Sequence, residues 1–89
     1  MIVSVTAAAL MRELDDEAVV LDLESGMYYG LNRVGASIWR HASAGGGTSL
    51  QALVDAVVEE FEVEFTDAER DVIAFIESLH ASRLVHVRG

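Results

Sequence analysis

The sequence predicts an α+β fold in which a three-stranded antiparallel sheet is followed by three helices. Three observations carry this. Residues 10–31 contain β-rich runs broken at Asp15-Asp16 and at Glu24-Ser25-Gly26, the punctuation of consecutive hairpins. From Asn32 onward the apolar period changes from two to about 3.6 residues. Polar capping residues then precede each apolar stripe, at Asn32, Thr48 and Thr66.

Residues Met1–Ala9 are apolar without a clear period and are expected to form a loosely attached lead-in. Leu10–Leu14 is the first predicted strand, reversed at Asp15-Asp16 into Ala18–Leu23. Within the second, Val19, Leu21 and Leu23 share one face, and Ala18, Val20 and Asp22 share the other. A three-residue connection ends in Gly26, which takes the positive φ that a Cβ resists. Met27–Leu31 is the third strand. In a meander of order 1-2-3 its free side is a sheet edge, and it holds none of the Pro or Lys residues that commonly blunt one. Such an edge accepts a further strand from another polypeptide.

Asn32 is a good N-cap, and Val34, Ile38, Trp39 and Ala42 recur at helical spacing, predicting a helix over Arg33–Ala42. Gly35 in its first turn permits close packing on the sheet, and Trp39 reads as a core residue. Ala44-Gly45-Gly46-Gly47 is a flexible connector. No Lys follows it and the Walker spacing is absent, so it is not a phosphate cradle. Thr48-Ser49-Leu50-Gln51 matches a capping box with Thr48 as N-cap. Leu50, Leu53, Val54, Val57, Val58 and Phe61 trace the second helix's apolar stripe, opposite Gln51, Asp55, Glu59 and Glu62. Val63 and Phe65 are placed as plugs at the end of the core. Thr66-Asp67-Ala68-Glu69 repeats the capping pattern and starts a third helix with Val72, Phe75, Ile76 and Leu79 on its stripe. That helix should end near Ser82, and Leu84–Val87 reads as a short terminal strand. The layout has the outline of a winged helix-turn-helix.

At 89 residues, 52% of them hydrophobic, the chain reads as one small domain. It has no Cys, so disulfides and thiolate zinc sites are excluded. No apolar run approaches the ~18 residues of a membrane span, and the opening residues lack a basic signal region, which makes the cytoplasm the default location. Fifteen acids face six Arg and no Lys, a formal net charge of -9. Eight of those acids lie between Asp55 and Asp71, relieved only by Arg70. Phosphate backbones are bound chiefly through Lys and Arg, so nucleic acid and anionic membranes are poor partners, and a basic peptide is a better one. The plainer reading is that the acids keep a small apolar-rich domain soluble.

No catalytic constellation is present in the sequence. His41, His80 and His86 lack two-ligand helical spacing, and there is no Gly-x-Ser-x-Gly elbow. Asp15-Asp16-Glu17 is a turn and Glu59-Glu60 a solvated helix face, so neither reads as an acid–base pair. No enzyme activity, metal or cofactor is expected. The winged outline raises DNA binding as a rival, but a recognition helix needs a basic face. Here the second helix turns Asp55, Glu59 and Glu62 outward, and the third turns Asp67, Asp71 and Glu77.

The run Glu17-Ala18-Val19-Val20-Leu21-Asp22-Leu23-Glu24-Ser25-Gly26-Met27-Tyr28-Tyr29-Gly30-Leu31-Asn32, continued through Gly35-Ala36-Ser37-Ile38-Trp39 and the later Glu69-Arg70-Asp71-Val72, resembles the PqqD-like domain. This is the leader-peptide recognition element of ribosomally made, post-translationally modified peptide pathways. The Tyr-Tyr-Gly-Leu-Asn form is similar to stand-alone versions from lasso-peptide clusters. The resemblance implies that a precursor's leader lies as an added strand against the third strand, in a groove shared with the third helix. Met27, Tyr28, Tyr29, Gly30 and Leu31 would supply the pairing edge. Val72, Phe75, Ile76 and Leu79 would supply the apolar wall, with Val20 and Leu23 at its margin. Glu69 and Asp71 would attract Lys residues of the leader. The implied partners are a leader peptidase of the transglutaminase-like cysteine protease type and an asparagine-synthetase-like cyclase. Alternatives are a PqqD-type peptide chaperone of another modified-peptide or quinone-cofactor pathway, a homodimerising winged-helix module pairing through the same edge, and an acidic winged-helix regulator.

Overall fold

The computed structural model describes residues 1–15 and 17–89; the reversal expected at Asp15-Asp16 thus falls partly outside the described residues. The elements are β1 (Ile2–Val5), β2 (Ala9–Leu14), β3 (Glu17–Asp22), β4 (Tyr28–Leu31), α1 (Arg33–Ser43), β5 (Thr48–Ser49), α2 (Leu50–Phe61), α3 (Phe65–Ala81) and β6 (Val85–Arg88). A short 3-10 turn at Ala44–Gly46 joins α1 to β5. The α+β class and the order of three strands then three helices follow the sequence reading. No helix among the described residues is long and apolar enough to cross a membrane.

The meander β2-β3-β4 is antiparallel throughout, with Val20 opposite both Met11 and Tyr29, and Val19 opposite both Arg12 and Gly30. Period-two alternation turns Ala18, Val20, Asp22, Tyr29 and Leu31 toward the helices, leaving Leu10, Leu14, Val19, Leu21, Tyr28 and Gly30 on the solvent face. Asp22 organises the β3–β4 turn. Its Oδ2 accepts from the Ser25 hydroxyl (2.8 Å) and its Oδ1 from the Glu24 N–H (3.0 Å). Gly26 supplies the expected positive φ of 76°.

Residues 1–9 depart from expectation. They are no loose lead-in, because Ile2–Val5 is the central strand of a second sheet of order β5-β1-β6. Val3 pairs with both Thr48 and Val87 and is fully buried. These β-branched residues have no partner nearby in sequence, so local periodicity does not reveal the pairing.

Asn32 caps α1 as expected, its Oδ1 accepting from the Gly35 N–H at 2.9 Å. Gly35 serves a different contact from the one expected: a Cβ there would sit 3.0 Å from the Phe75 ring, so it admits α3 rather than the sheet. The N-cap of α2 is Ser49 rather than Thr48: the Ser49 Oγ accepts from the Ala52 N–H at 3.0 Å, and both residues pair with β1. Gln51 correspondingly donates to Asp55 one turn along rather than closing a capping box. Helix α3 begins at Phe65 with Glu64 as N-cap, ahead of the expected Thr66. Val63 and Phe65 do not plug the core; they are 39% and 45% exposed.

One core joins the two sheets and the helices: Val3, Val20, Leu31, Ile38, Trp39, Leu53, Val54, Val72, Ile76 and Leu84 are all buried. Polar ties run along one flank. Arg40 of α1 pairs with Glu13 of β2, and the Ser37 hydroxyl donates to Glu60 of α2 at 2.6 Å. Glu60 is therefore anchored rather than simply solvated.

Candidate functional site: the open edge of β4

Among the described residues β4 has β3 as its one neighbour, so its other side is an open edge. The register fixes which groups face outward. Asp22 donates its N–H to Met27 O (2.9 Å), and on the far side of β3 Leu23 donates to Ala8 O (2.8 Å). In an antiparallel ladder the bonded pairs recur every second residue, so Tyr29 bonds Val20 and Leu31 bonds Ala18. The N–H and C=O of Tyr28 and Gly30 consequently point away from the sheet. At the opposite edge, β2 carries Arg12 and Glu13, and Glu13 is tied to Arg40. Charges of that kind blunt an edge, and β4 has none.

Two hollows near β4 are lined partly by α3 and the turn that ends it. One, of about 240 Å3, is lined by Asp22, Ser25, Tyr29, Ser82 and Arg83. The other, of about 180 Å3, is lined by Asn32, Val34, Gly35, Ile38, Asp71 and Phe75. Local chemistry fixes both. Helix α3 ends in a Schellman turn, with Leu84 N–H donating to Leu79 O (2.9 Å) and Arg83 N–H to His80 O (3.0 Å). That turn places Arg83 at a positive φ of 61°, a position where glycine is usual. Across from it, the Ser25 hydroxyl and then the Glu24 N–H hold the Asp22 carboxyl below its ordinary 3.8, so it stays charged. At the other hollow the Asn32 cap and the Gly35–Phe75 approach set the spacing of α1 and α3.

The residues singled out from sequence fall into three groups. Met27 and Tyr28 are 55% and 69% exposed, Gly30 is open, and Tyr29 is half-buried against a hollow. Phe75 and Asp71 line the second hollow from α3, while Glu69 is exposed and Leu23, in the β3–β4 turn, is 55% exposed. Val20, Leu31, Val72, Ile76 and Leu79 lie at 5% exposure or less. They belong to the buried core and offer no open wall; Ile76 borders a separate hollow with Leu50, Ile73 and Val87. Sequence reasoning missed Asp22, Ser82 and Arg83 as lining residues. Asp22 sits at a polar break in an apolar strand, which is a usable signal; the left-handed Arg83 leaves none. Among the described residues no group of three His, Asp or Glu is placed to hold a metal ion.

Residues 17–85 match the family described as coenzyme PQQ synthesis protein D (PqqD). The chain belongs to the PqqD family. Two solved structures share this PqqD fold over almost their whole length. One is TbiB1 in complex with the TbiA(beta) leader peptide, 31% identical, with a TM-score of 0.85, covering 97% of this chain and 98% of that one. The other is a lasso peptide synthetase B1 complexed with the leader peptide, 30% identical, with a TM-score of 0.80 over 96% and 98% of the two chains. No curated protein matches.

Proposed function

We propose that this PqqD-family chain is a non-catalytic adaptor of the cytoplasm. It binds the leader of a ribosomally made precursor peptide as a fourth strand on β4 and presents it for lasso-peptide maturation. The observation that carries this reading is the outward-facing backbone of Tyr28 and Gly30 on an unpaired strand edge. The leader complexes of the two matched structures support it. The edge supplies two N–H donors and two C=O acceptors, which set the leader's register and direction. Side chains alternating along the leader enter the hollows at Tyr29 and at Phe75, while Val20, Leu31, Val72, Ile76 and Leu79 contribute through the buried core that holds β4 and α3 in place. Asp71 and Glu69, in a chain of net charge -9, attract basic residues of the leader and speed encounter. The bound leader is then handed to a transglutaminase-like leader peptidase and an asparagine-synthetase-like cyclase.

Titration with the synthetic leader of the precursor encoded in a neighbouring gene tests the reading. A Kd near or below about 1 μM, corresponding to about -8 kcal/mol, is the expected result. Absence of binding up to millimolar leader refutes it. Self-pairing through the same edge would bring two chains of net charge -9 together; light scattering of the peptide-free protein should therefore show a monomer.

A further inference from the structure

Gly30 has no evident structural task in the chain itself. Its φ lies outside the left-handed region, and a Cβ built on it would meet nothing within 4 Å. Gly26 needs its positive φ and Gly35 its clearance from Phe75, but Gly30 needs neither. A glycine inside a strand weakens it relative to alanine and commonly marks a place where another backbone or ligand comes close.

A second observation lies on the same spot. Gly30 borders a shallow hollow of about 490 Å3 at the end of the β3–β4 pair, whose lining includes Leu14, Glu17, Val19, Leu31 and Asn32. Val19 stands directly across the ladder from Gly30, and Leu14 is 55% exposed. Because the backbone groups of Gly30 point outward, an added strand sets one residue directly opposite it, exchanging both hydrogen bonds. Residues opposite one another project to the same face. The side chain of that leader residue therefore lies on the Gly30 side of the sheet, while its two neighbours turn toward the helices. The added strand is two strand spacings, about 10 Å, from β3, so a short side chain stops before Val19 and a long or aromatic one reaches it.

We propose that Gly30 is a specificity-determining position: it admits a bulky apolar leader side chain, which crosses the glycine and packs on Val19. This rests on edge pairing at β4 and adds a subsite on the face opposite to the groove.

The experiment measures binding of the synthetic leader, by fluorescence polarisation, to wild-type protein and to Gly30→Ala, Gly30→Val and Gly30→Pro, with thermal melts of each. Gly30→Ala and Gly30→Val should melt at or above the wild-type temperature, since no contact opposes a Cβ. Gly30→Val should nevertheless weaken the leader roughly tenfold or more, and Gly30→Ala less, because the subsite is filled. An alanine scan of the leader should then find one bulky apolar residue whose loss costs roughly tenfold against wild type and little against Gly30→Val. Should Gly30→Val fail to fold, the same coupling is read in Gly30→Ala. Wild-type affinity in the folded valine or alanine variant, or losses along the leader that are equal in both backgrounds, would overturn the proposal. Gly30→Pro separates the two readings: it blocks the edge itself, so wild-type affinity there defeats edge pairing, whereas loss there with full binding to Gly30→Val defeats the subsite alone.

Discussion

Proline placed at two adjacent positions of β4 should have opposite consequences. Gly30 directs its N–H to solvent, so Gly30→Pro breaks no ladder bond, and edge strands accept proline where the N–H faces outward. The entropic gain of about 0.4–1 kcal/mol in the unfolded chain offsets the adjustment of φ, and stability should stay within about 1 kcal/mol of wild type. Binding is another matter. The substitution removes one hydrogen bond, about 0.5–1.5 kcal/mol, and strands the leader carbonyl that would have accepted it, about 1–3 kcal/mol. The sum is about 1.5–4.5 kcal/mol, or about 10- to 2,000-fold in Kd. Tyr29→Pro instead deletes a bond to Val20 and should melt at a clearly lower temperature even without peptide. Differential scanning fluorimetry on both variants, with leader titration of the folded one, checks the pair. The outward assignment of Tyr28 and Gly30 fails if the two melting temperatures respond alike, or if folded Gly30→Pro binds within threefold of wild type.

Three further outcomes are expected. The Asp22 carboxyl titrates below its ordinary 3.8 in the folded chain, so the unfolded chain binds more protons between the two values; stability present above about pH 4 should fall as acid carries the pH through the lower one, and Asp22→Asn should flatten that part of a pH–melting curve. Gly35→Ala gains about 1 kcal/mol of helix propensity but sets a methyl 3.0 Å from the Phe75 ring, so melting should change little while leader affinity drops as the ring moves into its hollow; a full gain in stability with unchanged affinity would contradict the packing. Val72→Asp buries a carboxylate at a site with no exposure and should unfold the protein, whereas Phe75→Ala, at a half-buried site, should leave a folded chain with weakened binding, as circular dichroism and titration would show.

How far the sequence revealed this structure depended on how local each determinant is. The β2–β3–β4 meander was readable because period-two alternation and Gly26 act within a few residues of one another. So was the Asn32 cap. The role of Ile2–Val5 was hidden, since its partners Thr48–Ser49 and Val85–Arg88 lie at the middle and far end of the chain. Neighbouring candidates misled at α2, where Thr48 and Ser49 cap equally well in principle; both pair with β1, and the Ser49 hydroxyl is the one that accepts from the helix. At the site, apolar stripe positions such as Val72 and Ile76 were identifiable as inward-facing, but periodicity does not tell a groove wall from a buried core position. The hollow at Arg83 depends on how α3 terminates, a left-handed turn that no residue type there announces.

The pairing of Ile2 with Arg88 places the first and last strands side by side. Val3, with no exposure, is held in the first of them, the central strand, between Thr48 and Val87. Removing residues 1–5 would leave β5 and β6 with no strand between them and strip a buried valine from the core.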